Sequence, residues 1–327
     1  MKSFQINSNE AGQRFDKYLK KLLAQAPGSF VYKMLRKKNI TLNGKKADGS
    51  EKLNIGDEVK LFLSDETFDK FTLAQNLNIS GVSDIARKYP FISLEVIYED
   101  EDILIINKPV GMLSQKAVPQ DVSANEYMIG YLLKSGALSQ EELVTFHPSV
   151  CNRLDRNTSG LLIAGKSLKG LQEMSKQLNE RSMEKYYRCL VKGKVTEEQQ
   201  IDGWLLKDEK SNKVNIYNKE VSDGKYIKTG YKPIRCFYKE NEKESYTLLE
   251  VHLITGRSHQ IRAHLASIGH PIVGDGKYGD KKVNSKFAKE LNIQFQLLHA
   301  YRMKFPDGRE VTAPLSKEFQ KALEYLE

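Results

Sequence analysis

Nowhere in the 327 residues do eighteen apolar residues run together, so no membrane-spanning helix is expected. The first residues are polar where a secretory leader would carry an apolar core, which predicts a chain that stays in the cytoplasm. Cysteine is scarce. Its three copies, Cys151, Cys189 and Cys236, include no Cys-x-x-Cys, excluding a disulfide framework or a zinc knuckle and fitting a reducing compartment. No metal-ligand spacing occurs, and His259 and His264, five apart, do not share a helix face as zinc ligands would. A Gly-x-Gly-x-x-Gly string is present at Gly274, Gly276 and Gly279. Only Ile272-Val273 precedes it and Asp280-Lys281-Lys282 follows, so it lacks the strand and helix of a dinucleotide site and reads as a loop. Repeats and low-complexity tracts are missing too.

What the chain has is length for two domains, 40 % hydrophobic residues to build cores, and a net charge of +9 that points to a polyanionic partner. The charge is unevenly placed. Residues 1–64 hold 13 Lys+Arg against 6 Asp+Glu, so the amino-terminal fifth is the expected polyanion grip. Apolar residues at 15, 18, 19, 22 and 23 follow the helical period, and Pro27-Gly28 ends that helix. Ser29 is the expected N-cap of a second helix that turns Val31, Met34 and Leu35 inward and ends in Lys33, Arg36, Lys37 and Lys38. Short strands around Ile40–Leu42 and Val59–Leu63 follow, with turns at Asn43-Gly44 and Gly56-Asp57. Residues 65–93 read as a linker with one helix near Val82–Lys88.

From Leu94 the pattern turns to strands. A hairpin is expected from Leu94–Tyr98 and Ile103–Ile106 about the acidic turn 99–102, ending at Asn107-Lys108-Pro109. Ser167 caps an amphipathic helix carrying Leu168, Leu171, Met174 and Leu178. Later, Leu249, Val251 and Leu253 alternate in a strand, and Ile261, Leu265 and Ile268 line a helix stopped at Gly269.

The chemistry concentrates in Cys151-Asn152-Arg153-Leu154-Asp155-Arg156-Asn157-Thr158-Ser159-Gly160. Here one carboxylate stands between two arginines in a turn, before the apolar Leu161–Ala164. A solvated ion-pair network is the bland reading of such neighbours. The order Arg-Leu-Asp-Arg-x-Thr-Ser-Gly-Leu, however, resembles the catalytic signature of the RluA-type pseudouridine synthases. Three further segments agree with that family in order: Lys185–Gly193, Thr255–His264 and Gly269–Gly279, with Leu298-His299-Ala300 recurring as well, over about residues 94–315. About residues 12–64 resemble the S-four RNA-binding domain of ribosomal proteins.

The resemblance implies an α+β pseudouridine synthase fold with a mixed, largely antiparallel sheet, preceded by a small α+β RNA-binding domain. The expected division is 1–64, linker 65–93 and catalytic domain 94–327. It implies Asp155 as the single catalytic carboxylate. Glycoside hydrolysis normally needs a second one, and this loop supplies arginines instead. Counting back from Val191 and Gly193 assigns the family's active-site tyrosine, a stacking residue and proposed proton acceptor, to Tyr187 and its lysine to Lys185. Tyr186 falls on the opposite face, with core packing as its expected fate. Arg257 is expected to face Asp155. Arg153 is expected to contact the nucleotide around the extruded base, and Lys33, Arg36, Lys37, Lys38, Lys45 and Lys46 to hold RNA. Asn152 and Asn157 depart from the family pattern, which usually has a histidine and often an acid there, and so bear on substrate choice. The reaction detaches uracil from ribose, turns it and rejoins it through carbon 5, which needs neither metal nor cofactor. Large-subunit ribosomal RNA is the first expected substrate and transfer RNA the second. The alternative is a non-catalytic RNA-binding or ribosome-assembly factor that retains the fold.

Overall fold

The computed structural model describes residues 1–72, 82–140, 142–208, 213–238 and 244–327. Two sheets organise it. The smaller lies at the amino end, built from β1 (Lys2–Gln5), α1 (Phe15–Leu22), α2 (Gly28–Arg36), β2 (Ile40–Leu42), β3 (Lys45–Lys46) and β4 (Glu58–Leu61), with the antiparallel order β1-β4-β2-β3. Helix α1 forms because Phe15, Tyr18, Leu19 and Leu22 make one apolar stripe, which packs with Val31, Met34 and Leu35 of α2 and with Ile40, Val59 and Leu61 of the sheet. Asn43 and Gly44 both take positive φ, 51° and 71°, in the β2–β3 turn.

Two expectations change here. Helix α2 opens at Gly28 with Pro27 in the cap position, so Ser29 lies inside its first turn and caps nothing. The ring fixes Pro27 in a conformation that already feeds a helix. Beyond residue 64, where a linker was expected, Ser64 caps α3 (Asp65–Phe71) by accepting from the Thr67 amide, and Phe68 and Phe71 pack on the small core. Residues 73–81 of the expected linker lie outside the described residues. The helix expected near them is α4 (Val82–Lys88).

Among the described residues the larger sheet has eleven strands. In chain order its elements are β5 (Val96–Glu99), β6 (Ile103–Lys108), α5 (Ala124–Ser135), α6 (Glu142–Thr145), β7 (Ser149–Val150), β8 (Ser159–Gly165), α7 (Leu168–Glu180) and β9 (Glu184–Lys192). Then come β10 (Gln199–Asp208), β11 (Lys213–Tyr217), β12 (Lys225–Tyr238), β13 (Ser245–Leu253), α8 (Gln260–Ser267), α9 (Lys281–Leu291), β14 (Leu298–Lys304), β15 (Glu310–Thr312) and α10 (Lys317–Leu326). The strand order is β11-β10-β12-β13-β9-β14-β8-β6-β5, with β15 beside β14 and β7 beside β8.

Alternation along β6 and β8 sends Leu104, Ile106, Leu162 and Ala164 into a core shared with α5 and α8, and Ile103, Ile105, Leu161 and Ile163 into another with Met174 and Leu178 of α7. Helices α9 and α10 cover a third core through Phe287 and Phe319. Among the described strands β14 and β8 make the parallel pair, joined at His299–Ser159 and Ala300–Gly160. A Cβ on Gly160 (φ 112°) would stand 2.2 Å from the Ala300 carbonyl oxygen, so only glycine permits this seam. The amino-terminal unit meets helices α6 and α7 of the larger one where Thr145 donates to Glu10 at 2.7 Å and the Leu168 amide donates to Asn9 at 3.2 Å. No described helix is long and apolar enough to cross a membrane.

Candidate active site

A cleft of about 540 Å³ opens where the loop before β8, strand β9 and the start of α8 converge. Asp155, Tyr187, Arg153 and Arg257 all line it, so the structure brings the four expected site residues to one place. Two residues later along β9 than Lys185, Tyr187 is buried and reaches the cleft, whereas Tyr186 lies on the other face. Tyr186 is not a core residue. It is half-buried on the opposite face, stacked on His252 at 4.7 Å and covered by the Arg302 guanidinium at 4.2 Å.

The partner of Asp155 is Arg262, and the expectation for Arg257 is corrected. Arg262 donates from Nη1 to Asp155 at 2.8 Å, while the Arg257 side chain is exposed on the cleft rim and makes no ion pair among the described residues. The reason is the helix start. Gln260 opens α8 and ties the preceding loop by donating to Lys228 O and Thr229 Oγ1 and by accepting from Thr255 Oγ1 and the Arg257 amide. Arg262, in the first helical turn, can then lean back toward the helix start and the aspartate loop.

Arg262 is itself clamped. Its Nε and Nη2 donate to Asp275 at 2.7 and 2.8 Å, and Asp275, 1 % exposed, also accepts from the amides of Lys277 and Tyr278. Burial opposes both charges. The pairing outweighs it, holding the Asp275 carboxyl below its ordinary value and raising the guanidinium above its own. The glycine-rich loop thus serves as the seat of this clamp.

Lys108, at the end of the expected hairpin, also serves the site: its fully buried ammonium donates to the carbonyls of Met112, Pro109 and Arg156 at 2.8, 2.9 and 3.1 Å. Ser114 extends the stitching, donating to Leu154 O at 2.9 Å and accepting from the Leu154 amide at 3.0 Å. These bonds hold both flanks of Asp155 against residues 108–114. Burial pulls Lys108 down to about 7, opposed by the Asp155 carboxylate. A lysine ending the otherwise apolar strand Ile103–Ile106, next to a proline, is the signal that could have flagged it.

Burial, and secondarily the Asp155 carboxylate, pushes the Tyr187 phenol well above its ordinary value. It is a neutral donor at pH 7. His259, turned by a φ of 57°, bonds Tyr278 through Nδ1 at 2.9 Å, and burial lowers its pKa. His264 is a core residue, bonded to Thr229 at 3.0 Å. Cys151 also lines the cleft, but burial pushes its thiol up to about 11, which removes it as a nucleophile at neutral pH. Asn152 turns inward along β8, accepting from the Ile163 amide at 2.8 Å and donating to Leu161 O. Five cations, Arg153, Arg181, Lys185, Arg257 and Arg262, line the cleft against the one carboxylate of Asp155. At the amino end Lys33, Arg36, Lys37, Lys38, Lys45 and Lys46 are all exposed.

Comparison with known proteins points one way. The sequence family described as RNA pseudouridylate synthase matches residues 102–267. The ribosomal large subunit pseudouridine synthase C of Vibrio vulnificus is 31 % identical over 333 residues, covering 98 % of this chain and 95 % of that protein. The protein of the same name from Escherichia coli K12 is 31 % identical over 331 residues, again covering 98 % and 95 %. Among solved structures, human RNA pseudouridylate synthase domain containing 4 superposes with a TM-score of 0.55 at 19 % identity, over 71 % of this chain and 92 % of that one. This last likeness speaks for the fold.

Proposed function

The chain belongs to the RNA pseudouridylate synthase family, and on that premise we propose that it isomerises uridine in large-subunit ribosomal RNA with Asp155 as its nucleophile. The observation that carries the residue assignment is the ion-pair chain Asp155–Arg262–Asp275, which holds one oriented carboxylate in a cleft otherwise lined by cations. The names of the relatives support ribosomal RNA as substrate.

The reaction breaks the bond between uracil N1 and ribose C1′, turns the base, joins C5 to C1′ and moves a proton off C5 while N1 ends protonated, so that no atom is gained or lost. Asp155 is the group available to attack the sugar. Arg262, held on its other edge by Asp275, keeps that carboxylate aimed. Tyr187 supplies a flat ring and a hydroxyl donor for the base. As a neutral phenol it does not begin as a base, and its oxygen can take the C5 proton only if its own proton leaves in the same step. Arg153, exposed at the mouth, is suited to fill the gap left by a base drawn out of structured RNA, which costs a few kcal/mol. The six exposed cations at the amino end are suited to phosphates and would contribute salt-sensitive affinity.

The test is a pseudouridine map of total cellular RNA with and without the gene, repeated with Asp155→Asn. Loss of a signal in large-subunit RNA in both strains is expected. An unchanged map would favour the assembly-factor alternative. A signal lost from transfer RNA would move the substrate, and a signal kept by Asp155→Asn would sink the nucleophile.

A further inference from the structure

Of the five cations in the cleft, Arg262 is fully paired and Arg153 stands at the mouth beside Asp155. The other three gather elsewhere. Lys185 and Tyr187 are two residues apart on β9 and both reach the cleft, so their Cα atoms lie roughly 6.6 Å apart along the strand. The Lys185 ammonium ends beside Gly256, 3.8 Å from where a Cβ on that glycine would stand, and Arg257 follows in the same loop. Arg181, in the left-handed cap position after α7, is close enough to Lys185 to oppose its charge. Among the described residues none of these three side chains has a carboxylate partner or a hydrogen bond, although Lys185 is half-buried. Such an ammonium, with one guanidinium near enough to oppose it and a second carried on the adjoining loop of the same cleft, is poor use of a wall unless an anion fills the space between them.

We propose that Lys185, Arg181 and Arg257 form a phosphate grip on the RNA backbone beside the target base, so that the cleft holds the reacting nucleotide at both ends. The proposal rests on RNA being the substrate. Its spacing suits one nucleotide: with the uracil against Tyr187 and Asp155, a phosphate flanking that nucleotide falls toward Lys185 and the Gly256–Arg257 loop. Lys185 acts as a binding group in this arrangement, and the chemical step is left to Asp155.

The experiment measures the affinity of the full chain for large-subunit ribosomal RNA as a function of KCl, for the wild type and for K185Q, K185R, R181Q and R257Q. Losing one contact to a single strand should flatten the slope of log affinity against log salt by about 0.7, so that a fourfold rise in KCl costs K185Q about 2.6-fold less affinity than it costs the wild type. K185R should keep the wild-type slope, and the single-turnover rate at saturating RNA should change far less than the affinity. A K185Q slope equal to wild type overturns the proposal. If K185Q fails to fold, the exposed rim variants decide, and wild-type slopes in both R181Q and R257Q overturn it. Inhibition by inorganic phosphate at constant ionic strength, relieved in K185Q, would assign the site to free phosphate and overturn the backbone assignment. Pseudouridine formation is assayed in the same preparations. No product from the wild type with the slope difference intact overturns the activity and leaves the grip, and normal product with equal slopes does the reverse.

Discussion

Replacing Asp275 by asparagine removes the charge behind Arg262 while keeping the shape of the loop. Both Asp275 bonds to the guanidinium are short, 2.7 and 2.8 Å, and the two side chains are 0 and 7 % exposed, so no water can take over. Breaking one partner of a buried pair costs about 3–5 kcal/mol. Arg262 keeps its bond to Asp155, and asparagine keeps one acceptor for the amides of Lys277 and Tyr278, so we expect a loss just below that range, roughly 2–3 kcal/mol. In a domain of this size that lowers Tm by about 5–10 °C. Turnover should fall by about a hundredfold, the scale for a reacting group displaced by 1 Å. The pH dependence has a definite sign. Because the Asp275 carboxyl is held below its unfolded value near 3.8, its stabilisation is present above that pH and is lost as pH falls through the lower folded value. The gap between wild type and Asp275→Asn should therefore be widest near neutrality and close on acidification below about pH 4. Thermal unfolding by circular dichroism and single-turnover pseudouridine formation read both effects. A Tm within 1 °C of wild type together with unchanged turnover would refute the clamp.

Lys108→Met keeps the length of the side chain and removes the buried charge. Since burial pulls Lys108 to about 7 against 10.5 when free, the unfolded chain binds more protons between those values, and wild-type stability should rise over pH 7–10 relative to Lys108→Met by up to roughly 4 kcal/mol; a constant difference in chemical denaturation would contradict this. Tyr187→Phe should preserve stacking and lower the single-turnover rate, whereas Tyr186→Phe, on the other face, should leave it within about twofold; equal losses would show that the wrong tyrosine is in the cleft. Neutralising Lys33, Arg36, Lys37, Lys38, Lys45 and Lys46 together should flatten the salt slope of RNA binding by about 0.7 for each cation that meets a phosphate, with turnover surviving at saturating RNA. An unchanged slope would make them a solvated face.

That Asp155 and Tyr187 share one cleft is legible in the sequence because each position follows from local order. The turn sequence marks the aspartate loop, and the period of two in a strand decides which of two adjacent tyrosines shares a face with Lys185. Arg262 was not legible. It and Arg257 occupy one short segment, and the choice between them depends on the helix beginning at Gln260, whose side chain is fixed by β12 about thirty residues upstream. Asp275 was hidden for a related reason: its partner is thirteen residues away, and the glycines around it match an unrelated pattern. Ser29 misled because a good capping residue stood two positions late, behind a proline that already set the geometry.

The parallel seam between β8 and β14 carries a consequence for how the cleft comes into being. Ser159 bonds His299 at 2.8 Å across 140 residues of chain, and Gly160 lies against Ala300. During synthesis the aspartate loop therefore leaves the ribosome long before the strand that flanks it exists. Loop closure over such a span is slow, and contacts this distant in sequence form late. The amino-terminal sheet, closed within about sixty residues, can fold first and meet RNA while the rest is unfinished. Catalytic competence should thus arrive as one of the last events of folding, after the unit proposed to hold RNA is in place.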